Sequence, residues 1–184
     1  MPEVLQLKIS LKEIKPKIWR RFLVEDSITF QKLHEIIQDV MGWENYHLFE
    51  FKFENIRIIP PNEDYLEENE LDPKKVKVKE YVNKEKQKFE YIYDFGDSWE
   101  HEVIVEKILD KNNSKQYSVC IAGERACPPE DCGGVWGYEE LLEIRKNKNH
   151  PEYKDKIVNW LGEDFDPEEF DLNRINIKLN RYKR

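Results

Sequence analysis

Cysteine is scarce in this chain, and long apolar runs are absent. The 184 residues include 3 cysteines, an odd number that argues against a disulfide framework in a chain without an export signal. The first ten residues, MPEVLQLKIS, lack the charged-then-apolar pattern of a signal peptide. No apolar run approaches the roughly 18 residues of a membrane-spanning helix. These absences predict a cytoplasmic protein without a membrane partner.

Positive charge is outnumbered by negative charge. The chain has 30 Lys and Arg residues against 38 Asp and Glu residues, which gives a formal net charge of -8. This balance disfavours bulk attraction to phosphate backbones. A hydrophobic content of 39%, with 5 Trp, 9 Tyr and 9 Phe, is enough to build a core under a highly charged surface. The length predicts a single domain over residues 1–184.

Familiar catalytic and metal-binding signatures are missing as well. Cys120, Cys127 and Cys132 follow the spacing C-x6-C-x4-C, which lacks the paired C-x2-C of structural zinc sites. The letters DFG at residues 94–96 match the magnesium-binding motif of protein kinases, but no glycine-rich loop or catalytic-loop signature precedes them. No Ser/His/Asp or Cys/His signature is evident. No cofactor and no metal are therefore predicted.

The elements that the sequence predicts mix strands and helices. Alternation of apolar and polar side chains predicts strands at residues 4–11 and 18–25. An apolar stripe predicts a helix that begins after Thr29 as N-cap and ends at Gly42. The remaining predictions are strands at about 47–60, 88–94, 99–109 and 117–122, an acidic loop at about 60–75, and helices at about 138–147, 151–162 and 172–182. Hairpins rather than βαβ units join the strands, which predicts an α+β fold with a mainly antiparallel sheet and several packed helices.

The most distinctive hairpin is YDFGDSWEHE, residues 93–102. A two-residue turn with Gly96 first and Asp97 second suits a type II′ turn. In that register Asp94 lies opposite Trp99 and becomes a diagonal neighbour of His101, on the same face of the sheet. A slip of one residue would reverse the face of each side chain. The Asp94–His101 pair is therefore a prediction that depends on register.

The loop CPPEDCGGVWGY, residues 127–138, is the second distinctive segment. Two prolines stiffen the backbone ahead of the adjacent acids Glu130 and Asp131. Gly133 and Gly134 permit close approach of a ligand or of another backbone segment. Trp136 either contributes to a site or pins the loop to the core. The pattern suits a binding loop and a structural turn equally well.

Taken together, these segments resemble the plasmid pRi ORF-3-like family. The resemblance rests on LHEIIQDVMGWENYHLFEF, YIYDFGDSWEHEVIVEKIL, GERACPPEDCGGVWGYEELLE and FDPEEFDLNRIN, and it runs from about residue 5 to about residue 179. Residues 41–43, 47, 94–99, 101 and 128–134 match motif positions of the family. The resemblance implies a compact α+β domain associated with plasmids and transposable elements. No activity, substrate or cofactor is assigned to that family as a whole, so the resemblance implies no catalytic residues.

Three functions are compatible with these observations. The leading one is a non-enzymatic binding module whose acidic-aromatic site takes a cationic or peptide partner. The second is a metal-dependent hydrolase or nuclease that uses the same carboxylates with His101. The third is a nucleic-acid accessory protein of mobile elements, which needs the basic runs near the two termini to merge into one face. The candidate site residues are Asp94, Asp97, Trp99, His101, Glu130, Asp131 and Trp136.

Overall fold

An eight-stranded sheet forms the centre of the described part of the molecule. The structure, a computed structural model, describes residues 3–62, 67–112 and 117–182. The strand order is β5-β4-β3-β6-β7-β1-β2-β8, and every neighbouring pair is antiparallel except the parallel pair β4–β5. The strands are β1 (Glu3–Leu11), β2 (Trp19–Glu25), β3 (Phe49–Lys52), β4 (Arg57–Ile58), β5 (Glu70–Leu71), β6 (Lys88–Tyr93), β7 (Trp99–Asp110) and β8 (Val119–Glu124).

Helices cover one face of this sheet. They are α1 (Phe30–Met41), α2 (Gly134–Lys146), a π-helix at Tyr153–Leu161 and α3 (Leu172–Leu179), with short 3-10 turns at Val78–Glu80 and Asn180–Tyr182. The Thr29 hydroxyl accepts a hydrogen bond from the Lys32 amide at the start of α1, and Gly42 takes a left-handed conformation at its end. Both ends of α1 therefore agree with the sequence prediction. Among the described residues no helix has the length and apolar character that a bilayer span requires.

The two faces of the sheet differ sharply in composition. On β1 and β2 the side chains of Leu7, Ile9, Phe22 and Val24 are fully buried, and α1 packs its apolar stripe into the same core. The opposite face carries paired charges that stay near solvent. These pairs are Lys12–Glu90, Lys12–Glu100, Arg21–Glu106 and Lys88–Glu102. This division confirms the α+β prediction, because alternating strands give a half-buried antiparallel sheet.

The register of the β6–β7 hairpin differs from the prediction. Tyr93 lies opposite Trp99 and Tyr91 lies opposite His101, so the connection is the loop of residues 94–98 and not a two-residue turn. Gly96 is not in the left-handed region. Asp94 and Ser98 adopt it instead, with φ of 58° and 52°. The predicted Asp94–His101 pair is therefore wrong.

The segment at 47–60 also departs from the prediction of one strand. It forms a hairpin of β3 and β4, closed by the hydrogen bond from the Phe53 amide to the Ile56 carbonyl. The acidic loop predicted at about 60–75 contains β5, and residues 63–66 lie outside the described residues. The short strands β4 and β5 leave the sheet with a small edge on that side.

Candidate functional site

Three separate segments meet at the end of the sheet where β3 begins, β6 ends and β7 begins. They are residues 42–48, which connect α1 to β3, the hairpin loop 94–98, and the loop 128–134 that leads into α2. His47, Asp94, Glu130 and Asp131 bring their side chains together there, and we call these four residues the rim site.

The rim site is centred on the Nε2 atom of His47. This nitrogen lies 2.9 Å from Asp131 Oδ1, 3.6 Å from Asp94 Oδ2 and 3.9 Å from Glu130 Oε2. One ligand-type atom each from His47, Asp94 and Asp131 lies within 4.8 Å of the other two. The arrangement concentrates negative charge around a single ring nitrogen.

A buried polar network fixes the segment that carries His47. His34 contacts Asn45 Oδ1 at 2.7 Å and the Tyr91 hydroxyl at 2.8 Å, and Gln38 donates to the same hydroxyl. Asn45 also contacts α1, because its backbone N–H donates to Gln38 Oε1. Because Asn45 Oδ1 only accepts, His34 donates from Nε2 and accepts from Tyr91 at Nδ1. Burial lowers the pKa of His34 to about 4, so the neutral ring suits this role.

The Tyr93 hydroxyl joins the segments at a single atom. It accepts from the Tyr46 amide at 2.9 Å and donates to Glu130 Oε1 at 3.0 Å. Glu130 Oε1 also accepts from the Glu44 amide at 2.7 Å. The first oxygen of Glu130 is thus fully engaged by the protein, and the second faces the rim site.

A second link ties the hairpin loop to the loop that precedes α2. Asp97 Oδ2 accepts a 3.0 Å hydrogen bond from the Gly133 amide. Gly134 adopts a φ of 68°, and a Cβ at that position would lie 2.5 Å from the Asp97 carbonyl oxygen. Only glycine fits both the conformation and the close approach. The sequence expectation that this glycine pair permits approach of another backbone thus has a specific geometric basis.

The electrostatics of the rim site follow from burial. The pKa of Glu130 is raised, first by burial, while the hydrogen bonds from the Glu44 amide and the Tyr93 hydroxyl oppose that rise. Burial and the nearby Glu130 carboxylate raise the pKa of Tyr93 well above its usual value, so its hydroxyl keeps its proton as a donor. Two atoms of the site, His47 Nε2 and Glu130 Oε2, are shielded from solvent and make no hydrogen bond. Such atoms are costly to leave without a partner.

The structure separates the other sequence candidates from the rim site. Asp97 lies beside it as a structural link, and Trp99 is completely buried with its ring 5.2 Å from that of Trp43. Trp136 is 82% exposed and lines a different surface cavity with Pro16 and Arg125. The aromatic group that contacts these carboxylates is instead Tyr93, which is buried and bonds Glu130, while Tyr46 and Phe95, next in sequence to His47 and Asp94, are exposed.

His101 is buried in the core and not beside the carboxylates. Its Nδ1 donates to the Tyr91 carbonyl at 3.1 Å, and its Nε2 accepts from the Trp43 indole at 3.4 Å. Both ring nitrogens are occupied, and burial lowers the pKa of this histidine to about 4. The change of register by one residue explains the difference, because Tyr91 and Tyr93, and not Asp94, now share a face of the sheet with His101.

His47 is the residue that sequence reasoning did not assign to the site. The sequence indicates only that it lies at the start of a strand and at a motif position of the family, and β3 begins two residues later at Phe49. No spacing relates it to the distant acids, since only the tertiary fold joins them. A lone histidine at a strand start gives no signal for such a contact.

Comparison with known proteins places the chain among relatives without an assigned function. The model of the family described as plasmid pRiA4b ORF-3-like protein matches residues 3–174. An uncharacterized protein, y4hQ of Sinorhizobium fredii, is 32% identical over 175 residues, which cover 94% of this chain and 89% of that protein. The crystal structure of MM3350 from Methanosarcina mazei Go1, a protein of unknown function, is similar with a TM-score of 0.85 and 45% identity, covering 94% of this chain and 97% of that one.

Proposed function

Because the chain belongs to the plasmid pRiA4b ORF-3-like family, whose relatives here carry no named activity, we propose from its geometry that it is a non-enzymatic binding module for a positively charged ligand. The ligand binds at the rim site. The observation that carries the proposal is the convergence of three carboxylates on His47, with Glu130 Oε2 and His47 Nε2 shielded and unbonded. Clustered carboxylates in a partly desolvated position attract positive charge.

Exposed apolar side chains beside the rim site support a binding role. Tyr46 and Leu48 flank His47 in the sequence and are 68% and 60% exposed, and Phe95 follows Asp94 and is 44% exposed. Large exposed apolar groups around a polar centre are typical of ligand-binding surfaces. The rim therefore offers apolar contact to whatever carries the positive charge.

The test compares cation binding by the native protein with binding by a rim variant. The probes are a short lysine-rich and arginine-rich peptide and a series of divalent metal chlorides, each titrated calorimetrically at low and high salt. We expect at least one probe to bind one-to-one to the native protein and to lose binding in Asp94→Asn/Asp131→Asn. The matched control is Glu139→Gln/Glu143→Gln, which removes two negative charges from exposed positions of α2. Equal binding by both double variants, or no binding of any probe, would contradict the proposal.

A metal-dependent hydrolase or nuclease is the second candidate. It is favoured by the three ligand-type atoms of His47, Asp94 and Asp131 that lie within 4.8 Å of one another, with His47 in the role that the sequence suggested for His101. Turnover separates the two candidates. Hydrolysis of a phosphodiester or ester probe that requires added metal and is lost in Asp94→Asn would favour the enzyme, while binding without turnover favours the module.

Nucleic-acid binding receives less support. In the basic run near the N-terminus, Arg20 is buried against backbone carbonyls and Arg21 pairs with Glu106. Arg181 near the C-terminus pairs with Asp39, and the last two residues lie outside the described residues. Charges that are buried or paired with carboxylates in this way contribute little to attraction of phosphates. The association with mobile elements stays a prediction.

A further inference from the structure

We infer that the ligand of the rim site is a divalent transition-metal ion, bound by His47, Asp94 and Asp131 beside the carboxylate of Glu130. The inference rests on the proposed function, because it specifies which positively charged ligand the site takes. The atoms that would bind the ion are His47 Nε2, Asp94 Oδ2 and Asp131 Oδ1, and Glu130 Oε2 adds negative charge 3.9 Å from His47 Nε2.

The distances from His47 Nε2 to the carboxylate oxygens are close to those between ligand atoms of one metal ion. Bonds of about 2.1 Å from a tetrahedral ion place its ligand atoms about 3.4 Å apart, and an octahedral ion places them about 3.0 Å apart. The three carboxylate oxygens lie 2.9, 3.6 and 3.9 Å from His47 Nε2. One ligand-type atom each from His47, Asp94 and Asp131 lies within 4.8 Å of the other two, so an ion held by all three would draw these side chains closer together.

The atoms that face the centre lack other partners. His47 Nε2 makes no hydrogen bond even at 2.9 Å from Asp131 Oδ1, so the contact lacks the direction that a hydrogen bond needs. Glu130 Oε2 is likewise shielded from solvent and unbonded. The Asp94 side chain is 9% exposed, and its hydrogen bonds all go to its other oxygen, Oδ1. A cation at the centre would satisfy these buried atoms at once.

Two of the carboxylates divide their oxygens between the protein and the centre. Asp94 Oδ1 accepts from the Gly96 amide, and Glu130 Oε1 accepts from the Glu44 amide and the Tyr93 hydroxyl. The remaining oxygens, Asp94 Oδ2 and Glu130 Oε2, point toward His47. Outer hydrogen bonds of this kind orient metal ligands and hold them in place before the ion arrives.

The donor set selects the class of metal. One imidazole nitrogen with carboxylate oxygens suits Zn²⁺, Mn²⁺, Fe²⁺ or Co²⁺, whereas Mg²⁺ and Ca²⁺ prefer oxygen alone. The cysteines near this end of the molecule are not among the ligand atoms of the cluster.

The experiment is a calorimetric titration of ZnCl₂ and MgCl₂ into chelator-treated full-length protein. We expect one Zn²⁺ per chain and much weaker Mg²⁺ binding. The variants His47→Gln and Asp131→Asn should each weaken Zn²⁺ binding by at least about 10²-fold. His150→Gln, which removes a histidine outside the rim site, is the matched control and should bind as the native protein does. The Asp131 side chain is 65% exposed, so we expect Asp131→Asn to fold normally. This variant therefore tests the inference even if His47→Gln does not fold.

Spectroscopy with Co²⁺ identifies the ligands independently. The native protein should show the visible d–d bands of a nitrogen-and-oxygen site without a thiolate-to-cobalt charge-transfer band. Zn²⁺ binding that is as tight in both rim variants as in the native protein, or a thiolate band, overturns the inference. If no metal binds but the cationic peptide binds in a manner that depends on Asp94 and Asp131, the metal inference fails and the proposed function stands. If neither ligand binds, both fail.

Discussion

The carboxylate of Asp97 in the β6–β7 loop accepts a 3.0 Å hydrogen bond from the backbone N–H of Gly133, just ahead of α2. This bond links two segments whose carboxylates share the rim site. Replacing Asp97 by Ala should lower the free energy of unfolding by about 1 kcal/mol, because the bond is partly exposed to solvent. Asp97→Asn keeps an acceptor oxygen and should lose less. Urea unfolding and hydrogen exchange of the Gly133 amide measure the two effects, and equal losses in both variants would refute this role.

The Tyr91 hydroxyl is expected to be important for stability. It bonds His34 and accepts from Gln38 in the buried network that orients the segment before β3. Tyr91→Phe leaves His34 Nδ1 and the side-chain N–H of Gln38 buried without this partner, so the free energy of unfolding should fall by about 2 kcal/mol. Tyr46→Phe is the control, since that ring is 68% exposed and its change should be about 0.5 kcal/mol or less. Thermal or urea unfolding measures the stability of both variants. Equal losses of unfolding free energy in Tyr91→Phe and Tyr46→Phe would contradict the assignment.

Arg20 is expected to stabilise the end of α1. Its guanidinium is buried and donates to the Val40, Met41 and Glu124 carbonyls, which joins the helix terminus to the strands. Arg20→Met leaves those carbonyls without donors and should cost about 3 kcal/mol by urea unfolding.

The neighbouring Arg21 provides the matched control for that change. Its guanidinium pairs with Glu106 at the surface, where such a pair contributes about 1 kcal/mol or less. Arg21→Met should therefore shift the unfolding midpoint far less than Arg20→Met. A larger loss for Arg21 would show that the buried carbonyl contacts matter less than the surface pair.

Stability should fall as the pH is lowered from about 6.5 to about 4. Burial lowers the pKa of both His34 and His101 from 6.5 to about 4, and the charge of Lys12 adds slightly to the effect at His101. Between these values the unfolded chain binds more protons than the folded chain, so the free energy of unfolding rises with pH. Each shift corresponds to about 3 kcal/mol. Urea unfolding across this range checks the slope, and imidazole NMR signals of the two residues that titrate near pH 6.5 would contradict it.

Local sequence rules predicted the regular elements well. Both ends of α1 follow from local sequence signals, because Thr29 caps its start and Gly42 adopts the left-handed conformation at its end. The strands β1 and β2 follow from simple alternation, because one face of each packs on the helices. Such signals act over a few residues, and in these elements tertiary packing stabilises the same secondary structure that the local sequence favours.

The hairpin register and the composition of the rim site could not be predicted in this way. Gly96 and Asp97 suit a two-residue turn, yet Asp94 Oδ1 bonds the Gly96 amide and a longer loop results. Burial of Trp99 and His101 against Trp43 favours that longer loop, and this contact involves a segment far away in the sequence. His47 joins the carboxylates for the same kind of reason. Where long-range packing selects among locally acceptable turns, the local pattern is insufficient.

The rim site draws its four side chains from three segments, at positions 47, 94 and 130–131. In a chain without tertiary structure these groups are independent, so a binding centre of the proposed kind would form only when all three segments dock. A ligand there closes two long chain loops at once and shifts the folding equilibrium toward the native state by mass action. Ligand occupancy of this site would then report whether the three segments are correctly folded together. A nicked, truncated or partly unfolded chain would release its ligand before it lost its helices.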